Sequence, residues 1–191
     1  TRVFFETPCV EWILRNQVPW DFFYEHCSLF TAASLALAME HAGFAVMNVR
    51  HIFGGQYLWA EAESHSSRPL AKGRLESPSL AQAFSQVEQT RRSRWGELLS
   101  TLSARGPVLV WGAGAKGVTF CNLADPDTSR ITAVVDVNPA KQMKWLPGTG
   151  HMIVSPARAK DAAAVLVLNP NYVAEVRASV EQLGSKAEVI D

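Results

Sequence analysis

The chain has 191 residues, 48% of them apolar, which is enough for one large domain or two small ones around packed cores. Eighteen basic and eighteen acidic side chains leave a net charge of zero, which excludes a global field for nucleic acid or an anionic membrane surface. No apolar run approaches the roughly twenty residues of a membrane span and no signal segment opens the chain. Cys9, Cys27 and Cys121 form no CxxC pair, so a reducing cytoplasm is expected and a metal site is not.

In chain order, Arg2 to Pro8 reads as a buried strand running into a turn. A strand at the very start is how chains read in mid-domain, so the sequence is expected to be a fragment of a longer protein. A helix-compatible stretch, Ser34 to Ala42, ends at Gly43, and strand-like runs follow over Phe44 to Arg50 and Gln56 to Ala60, joined as a hairpin. Residues 1–62 are thus expected as one unit of the order strand, loop, helix, strand, hairpin, strand. Glu63 to Ser79, rich in Ser, Arg, Pro and Gly, reads as a connector. Leu80 to Ala104 carries apolar residues at three- and four-residue intervals, as in one or two helices. Its basic cluster Arg91, Arg92 and Arg94 is expected to be a solvated helix face. Residues 63–105 are accordingly linker and helices.

From Gly106 the pattern becomes strand, helix, strand, loop, strand, helix, strand. Val108 to Trp111, Ile131 to Asp136, Ala164 to Leu168 and Ala187 to Ile190 are near-continuous apolar runs, the signature of parallel strands covered on both faces, with His151 to Val154 a short extra strand. Between the first two lies Trp111-Gly-Ala-Gly-Ala-Lys-Gly117, and an acidic residue, Asp136, stands about twenty positions further on. In such a turn Gly112 permits the tight bend, Gly114 lets backbone N–H groups approach a diphosphate, and Gly117 lets the helix pack on the strand. Lys116 is a candidate point charge for the same phosphates, and Asp136 a candidate acceptor for ribose hydroxyls, the alternatives being a solvated lysine at a helix start and a turn that is purely structural. Residues 106–191 therefore form a Rossmann-like domain. Asn169 and Asn171 follow a strand and stand at the carboxyl end of the sheet, where ligands of open α/β sheets bind. Tyr172 beside them is placed to stack on a base or sugar, and Pro147 to Gly150 reads as a loop over the same edge.

Phe5-Glu-Thr-Pro8, Tyr24-Glu-His-Cys-Ser28, Phe53-Gly-Gly-Gln-Tyr57, the glycine turn, Pro147-Gly-Thr-Gly150 and Asn169-Pro-Asn-Tyr172 together carry a resemblance over nearly the whole chain. The first 62 residues resemble the closing portion of a class I S-adenosylmethionine-dependent methyltransferase domain, and the rest resembles the C-terminal domain of sugar C-methyltransferases. The implied architecture is α/β: the end of a class I methyltransferase sheet followed by a Rossmann-like parallel-sheet domain. In that family a zinc-binding domain and the turn that holds S-adenosylmethionine lie upstream. The resemblance implies methyl transfer from that cofactor to a carbon of a nucleotide-linked keto-sugar held between the central and C-terminal domains.

Carbon methylation beside a carbonyl needs a base and a group that stabilises the enolate. Glu25 and His26 suit both needs, since a histidine titrates near neutrality and an adjacent carboxylate tunes it. The family pattern is similar to Tyr-x-Glu-His, and here Phe23 stands at the tyrosine position, so a tyrosine's acid–base role is either absent or moved to Tyr24. The alternative for Glu25 and His26 is a loop fixed by hydrogen bonds. Gly54-Gly55-Gln56 is similar to a family segment near the substrate, with paired glycines for close approach and an amide for a sugar oxygen, or is simply a hairpin turn. His41, His51, His65 and His151 have no metal-ligand spacing with one another or with cysteines. Two other classes remain open on these residues, an NAD(P)-dependent oxidoreductase and a non-catalytic nucleotide-binding Rossmann module. The expected partner is a small-molecule nucleotide-sugar, with no nucleic acid and no membrane.

Overall fold

The computed structural model describes residues 1–23, 25–64 and 77–191, leaving aside the side chains of Ser77 and Gln89. Tyr24, His65 and most of the expected connector lie outside the described residues. The chain divides into two compact units, Thr1–Pro19 with Tyr24–Val87, and Trp20–Phe23 with Glu88–Asp191.

The first unit is built on three strands, β1 (Arg2–Pro8), β2 (Phe44–Ile52) and β3 (Tyr57–Ser64), in the order β1-β3-β2. β3 is antiparallel to both neighbours, so β1 and β2 run the same way and their carboxyl ends meet at one end of the sheet. The alternation in β3 turns Leu58, Ala60 and Ala62 into a core that also contains Leu35 and Met39. Those two residues come from a helix over Ala32–His41, preceded by a shorter one over Val10–Asn16; in chain order these are α1 (Val10–Asn16) and α2 (Ala32–His41). A reciprocal capping box starts α2: the Thr31 hydroxyl accepts from the Ser34 N–H at 3.0 Å and the Thr31 N–H donates to the Ser34 hydroxyl at 2.9 Å. Gly43, at φ +87°, ends it in the left-handed region. The expected loop between the first strand and α2 thus contains α1, a helix too short for apolar periodicity to show.

The second unit is a parallel five-stranded sheet in the order β6-β5-β4-β7-β8: β4 (Val108–Trp111), β5 (Ala133–Val135), β6 (Ile153–Val154), β7 (Ala164–Val167) and β8 (Glu188–Ile190). Every residue of β5 and β7 is buried, as a sheet covered on both faces requires. α3 (Ser77–Ser103) is one continuous helix that belongs to this unit from Glu88 onward, α4 (Ala115–Ala124) joins β4 to β5, and α5 (Val173–Gln182) joins β7 to β8. Val176 and Val180 of α5 pack with Leu109, Val135, Val165 and Val167 in one core cluster. Trp20, Trp95 and Phe120 pack edge to face at centroid separations of 4.9 to 5.7 Å, and the Trp20 indole N–H donates to the Leu168 carbonyl at 3.3 Å.

Two local expectations are corrected. The Pro147 to Gly150 loop precedes β6, which is parallel to β5, so it lies at the amino edge of the sheet rather than over the carboxyl edge. There the Asn122 amide of α4 donates to the Pro147 carbonyl at 3.0 Å, and the loop closes on the buried pair of His151 and Asp125. The basic cluster of α3 is not uniformly solvated either: the Arg91 side chain is 14% exposed and pairs with Glu88, and burial lowers its pKa.

Candidate functional site

At the carboxyl end of the first sheet, the segments that carry the expected catalytic and glycine residues hang on two adjacent backbone groups. The Cys9 N–H, directly after β1, donates to the Gln56 carbonyl at 2.8 Å, and the Val10 N–H donates to the Phe30 carbonyl at 2.9 Å. The first bond ties down the Phe53–Gly55 turn that ends β2, and the second ties down the loop leading from Glu25 and His26. Phe53, Gly54 and Gly55 all have positive φ, at 51°, 63° and 88°, which explains paired glycines at this turn. A Cβ on Gly55 would also stand 3.1 Å from the Trp12 ring, so that residue serves packing as well as backbone shape. Glu25 is exposed and His26 half-buried, whereas Gln56 is buried, with its side chain enclosed rather than presented to solvent. Tyr24 lies outside the described residues. Cys27 is exposed, and burial raises the pKa of Cys9.

In the second unit the glycine turn occupies the carboxyl end of β4, the central strand. Neighbouring strands on its two sides are reached by different crossovers, so this is the topological switch point of the sheet. Gly112 has φ +111° and its N–H donates to the Val135 carbonyl at 2.7 Å. A Cβ on Gly117 would stand 2.0 Å from the Gly112 carbonyl oxygen, while one on Gly114 would meet nothing within 4 Å. Gly117 is therefore fixed by packing, and Gly114 is free for other use.

Asp136 closes the turn from the next strand. Its carboxylate accepts from the Ala113 N–H at 3.0 Å, the Asn138 N–H at 2.9 Å and the Lys141 ammonium at 3.1 Å. Lys116 points its ammonium at Asp21, at 2.9 Å, within the same unit; the partner carboxylate is buried and the ion pair correspondingly fixed. The lysine of the turn thus has an internal partner that spacing gave no reason to expect.

A cavity of about 310 Å³ opens at this edge, lined by Trp111, Gly112, Asp136, Val137, Val167, Asn169, Tyr172, Glu175 and Val176. The Asn169 side chain accepts from the Asn171 N–H at 3.1 Å, which shapes the turn before α5 and leaves Tyr172 47% exposed at the rim. Gly112, Asn169 and Tyr172 are thus brought together, and Gly54, Gly55 and Gln56 gather on the first sheet. Glu175, on the first turn of α5, joins the cavity without any motif to announce it. Cys121, on the buried face of α4, has its thiol pushed up to about 12 by burial and then by the Asp125 carboxylate, which removes it as a nucleophile.

A parallel sheet with a glycine turn, an acidic residue on the next strand and a cavity at the switch point is an α/β domain of Rossmann-like type. Residues 71–188 match the family model of the C-methyltransferase C-terminal domain, and the chain belongs to that family. It is similar to C-methyltransferase NovU of Streptomyces niveus, with 28% identity over 189 residues that cover 91% of this chain and 45% of NovU. The chain spans about half the length of that relative. Among the described residues no helix is long and apolar enough to cross a membrane.

Proposed function

We propose that the chain is the substrate-binding C-terminal part of an S-adenosylmethionine-dependent C-methyltransferase acting on a nucleotide-linked keto-sugar or a similar small molecule. The observation that carries the reading is that Gln56, directly after the Gly54–Gly55 turn, and Phe30, at the end of the loop that starts with Glu25 and His26, are hydrogen-bonded to the adjacent Cys9 and Val10 at the carboxyl end of β1. Family membership and the similarity to NovU support the reaction class. The antiparallel β3 between β1 and β2 agrees with the closing strands of a class I methyltransferase sheet.

In this reading His26 removes the proton next to the substrate carbonyl, with Glu25 its neighbour in the same loop. Gly54 and Gly55 give a ligand close access to backbone. The methyl donor supplies an electrophilic carbon to the substrate carbanion. The passage from β1 into α1 through Pro8-Cys9 carries no glycine, so that passage lacks the close backbone approach a glycine turn gives to such a donor.

The second unit holds the nucleotide. Glu175 in the cavity disfavours phosphate and can accept from hydroxyls, while the charge of Asp136 is offset by Lys141, so a ribose or sugar ring belongs inside, with Tyr172 and Trp111 stacking on flat or apolar parts. Phosphates belong at the backbone N–H groups around Gly114, because Lys116 is held by Asp21. Calorimetric titration of the intact enzyme with a thymidine diphospho-sugar, with NADH in parallel, tests this. Binding of the sugar nucleotide and silence with NADH is the expected result. Binding of NADH alone overturns it in favour of an oxidoreductase-type module, to which the glycine turn and Asp136 would then belong.

A further inference from the structure

Three potential metal donors from separate parts of the chain meet at the carboxyl end of the first sheet. The Cys9 thiol, a Glu11 carboxylate oxygen and a His51 ring nitrogen all lie within 4.8 Å of one another. Cys9 follows β1, Glu11 lies in α1 and His51 is the penultimate residue of β2, so the sequence separates by about forty positions what the fold joins. Burial is graded across the group: Cys9 is 1% exposed, Glu11 half-buried and His51 exposed. An ion entering from solvent would meet the imidazole and the carboxylate first, with the sulfur as the floor of the site.

We propose that Cys9, Glu11 and His51 form a binding site for a divalent ion of borderline softness, such as Zn²⁺, with water in the fourth position. One sulfur, one nitrogen and one oxygen donor are the set such an ion takes, and hard ions such as Mg²⁺ or Ca²⁺ prefer oxygen alone. Tetrahedral coordination at Zn–S of about 2.3 Å and Zn–N or Zn–O of about 2.0–2.2 Å places donor atoms roughly 3.3–3.6 Å apart. The donors therefore need to contract by about 1 Å. The exposed His51 and the half-buried Glu11 have the side-chain freedom to do so, while Cys9 stays where its N–H bond to Gln56 holds it. The ion would tie the end of β2 to the start of α1, beside the backbone bond that already anchors the Phe53–Gly55 turn. The site stands on donor geometry and is independent of the methyltransferase reading.

The test is titration of the full-length protein with Co²⁺ as spectroscopic substitute for Zn²⁺, comparing wild type with Cys9→Ser and His51→Ala. Subtraction removes any ion bound elsewhere in the full chain. The expected result is loss of one Co²⁺ equivalent in both variants, together with loss of a near-ultraviolet sulfur-to-cobalt charge-transfer band. Since Cys9 is buried, Cys9→Ser risks a general loss of structure, and the exposed His51→Ala variant, checked as folded by circular dichroism, is decisive. A folded His51→Ala protein that keeps the wild-type stoichiometry, its Co²⁺ affinity within about twofold of wild type, and the same band overturns the proposal. At least a tenfold loss of affinity supports it.

Discussion

Glycines that look equivalent as letters have different tasks in the turn after β4. Gly117 is fixed by a single contact, because any Cβ there would lie 2.0 Å from the Gly112 carbonyl oxygen and would push α4 off the strand. Gly114 has φ −100°, compatible with any residue, and open space around its missing side chain. Gly117→Ala should therefore destabilise the protein by about 2 kcal/mol in urea unfolding, the usual range for overpacking, whereas Gly114→Ala should change stability by less than about 1 kcal/mol. Equal effects would remove the packing account. The spacing of the turn was legible because the positive φ of Gly112 and the close packing at Gly117 call for glycine at those two places. The partner of Lys116 was not, since Asp21 lies 95 positions away and only the tertiary fold brings the two together. The same reason hid the meeting of Cys9 with His51.

Arg2 to Pro8 was legible as a strand but not as the mostly exposed one it is, with only Pro8 buried, whereas the middle strands of the second unit show their burial plainly. β4, β5 and β7 are covered on both faces and so appear in the sequence as unbroken Val, Leu and Ala runs, with ends shifted by only a residue or two from the expected ones. α1, with seven residues, offers fewer than two full turns for a periodic signal, and a proline just before it suggested a turn. The Pro147 to Gly150 loop was misplaced for another reason: glycines and proline reveal a turn but not the edge of the sheet on which it falls, which depends on the direction of β6. Between these extremes stands the short segment around Trp20, which sequence pattern left as part of a loop. Its indole fills the space beside Trp95 and Phe120 and hydrogen-bonds the end of β7's connection at Leu168, so it fastens a non-contiguous piece of chain to the second unit. Trp20→Ala should cost about 3 kcal/mol, while Trp20→Phe should recover most of the packing and lose only the N–H bond, about 1 kcal/mol. Denaturant midpoints of the two variants check this; equal losses would place the weight on the hydrogen bond instead of the aromatic cluster.

On the scale of the whole molecule, candidate chemistry and candidate recognition fall in different compact units. Glu25 and His26 belong to the first, and the cavity with Asp136, Asn169 and Tyr172 belongs to the second. That division leads to separable kinetic signatures in the intact enzyme. His26→Asn keeps the size and part of the hydrogen bonding of the ring but cannot take up a proton near neutral pH, so kcat should fall at least a hundredfold with KM within about threefold. On the proposed reading, in which Tyr172 touches the nucleotide equally in ground and transition states, Tyr172→Ala should raise KM for the sugar nucleotide about tenfold with kcat nearly unchanged. Steady-state kinetics of the two variants, with the double variant as control, measure the split. Sites that act independently give additive free-energy changes in kcat/KM, because neither substitution disturbs the interaction the other removes. A His26→Asn enzyme with wild-type kcat would take this residue out of proton transfer and leave Glu25 and His26 as loop-fixing groups; a Tyr172→Ala enzyme whose loss lay in kcat alone would mean that the cavity aligns the reacting carbon rather than holding the nucleotide.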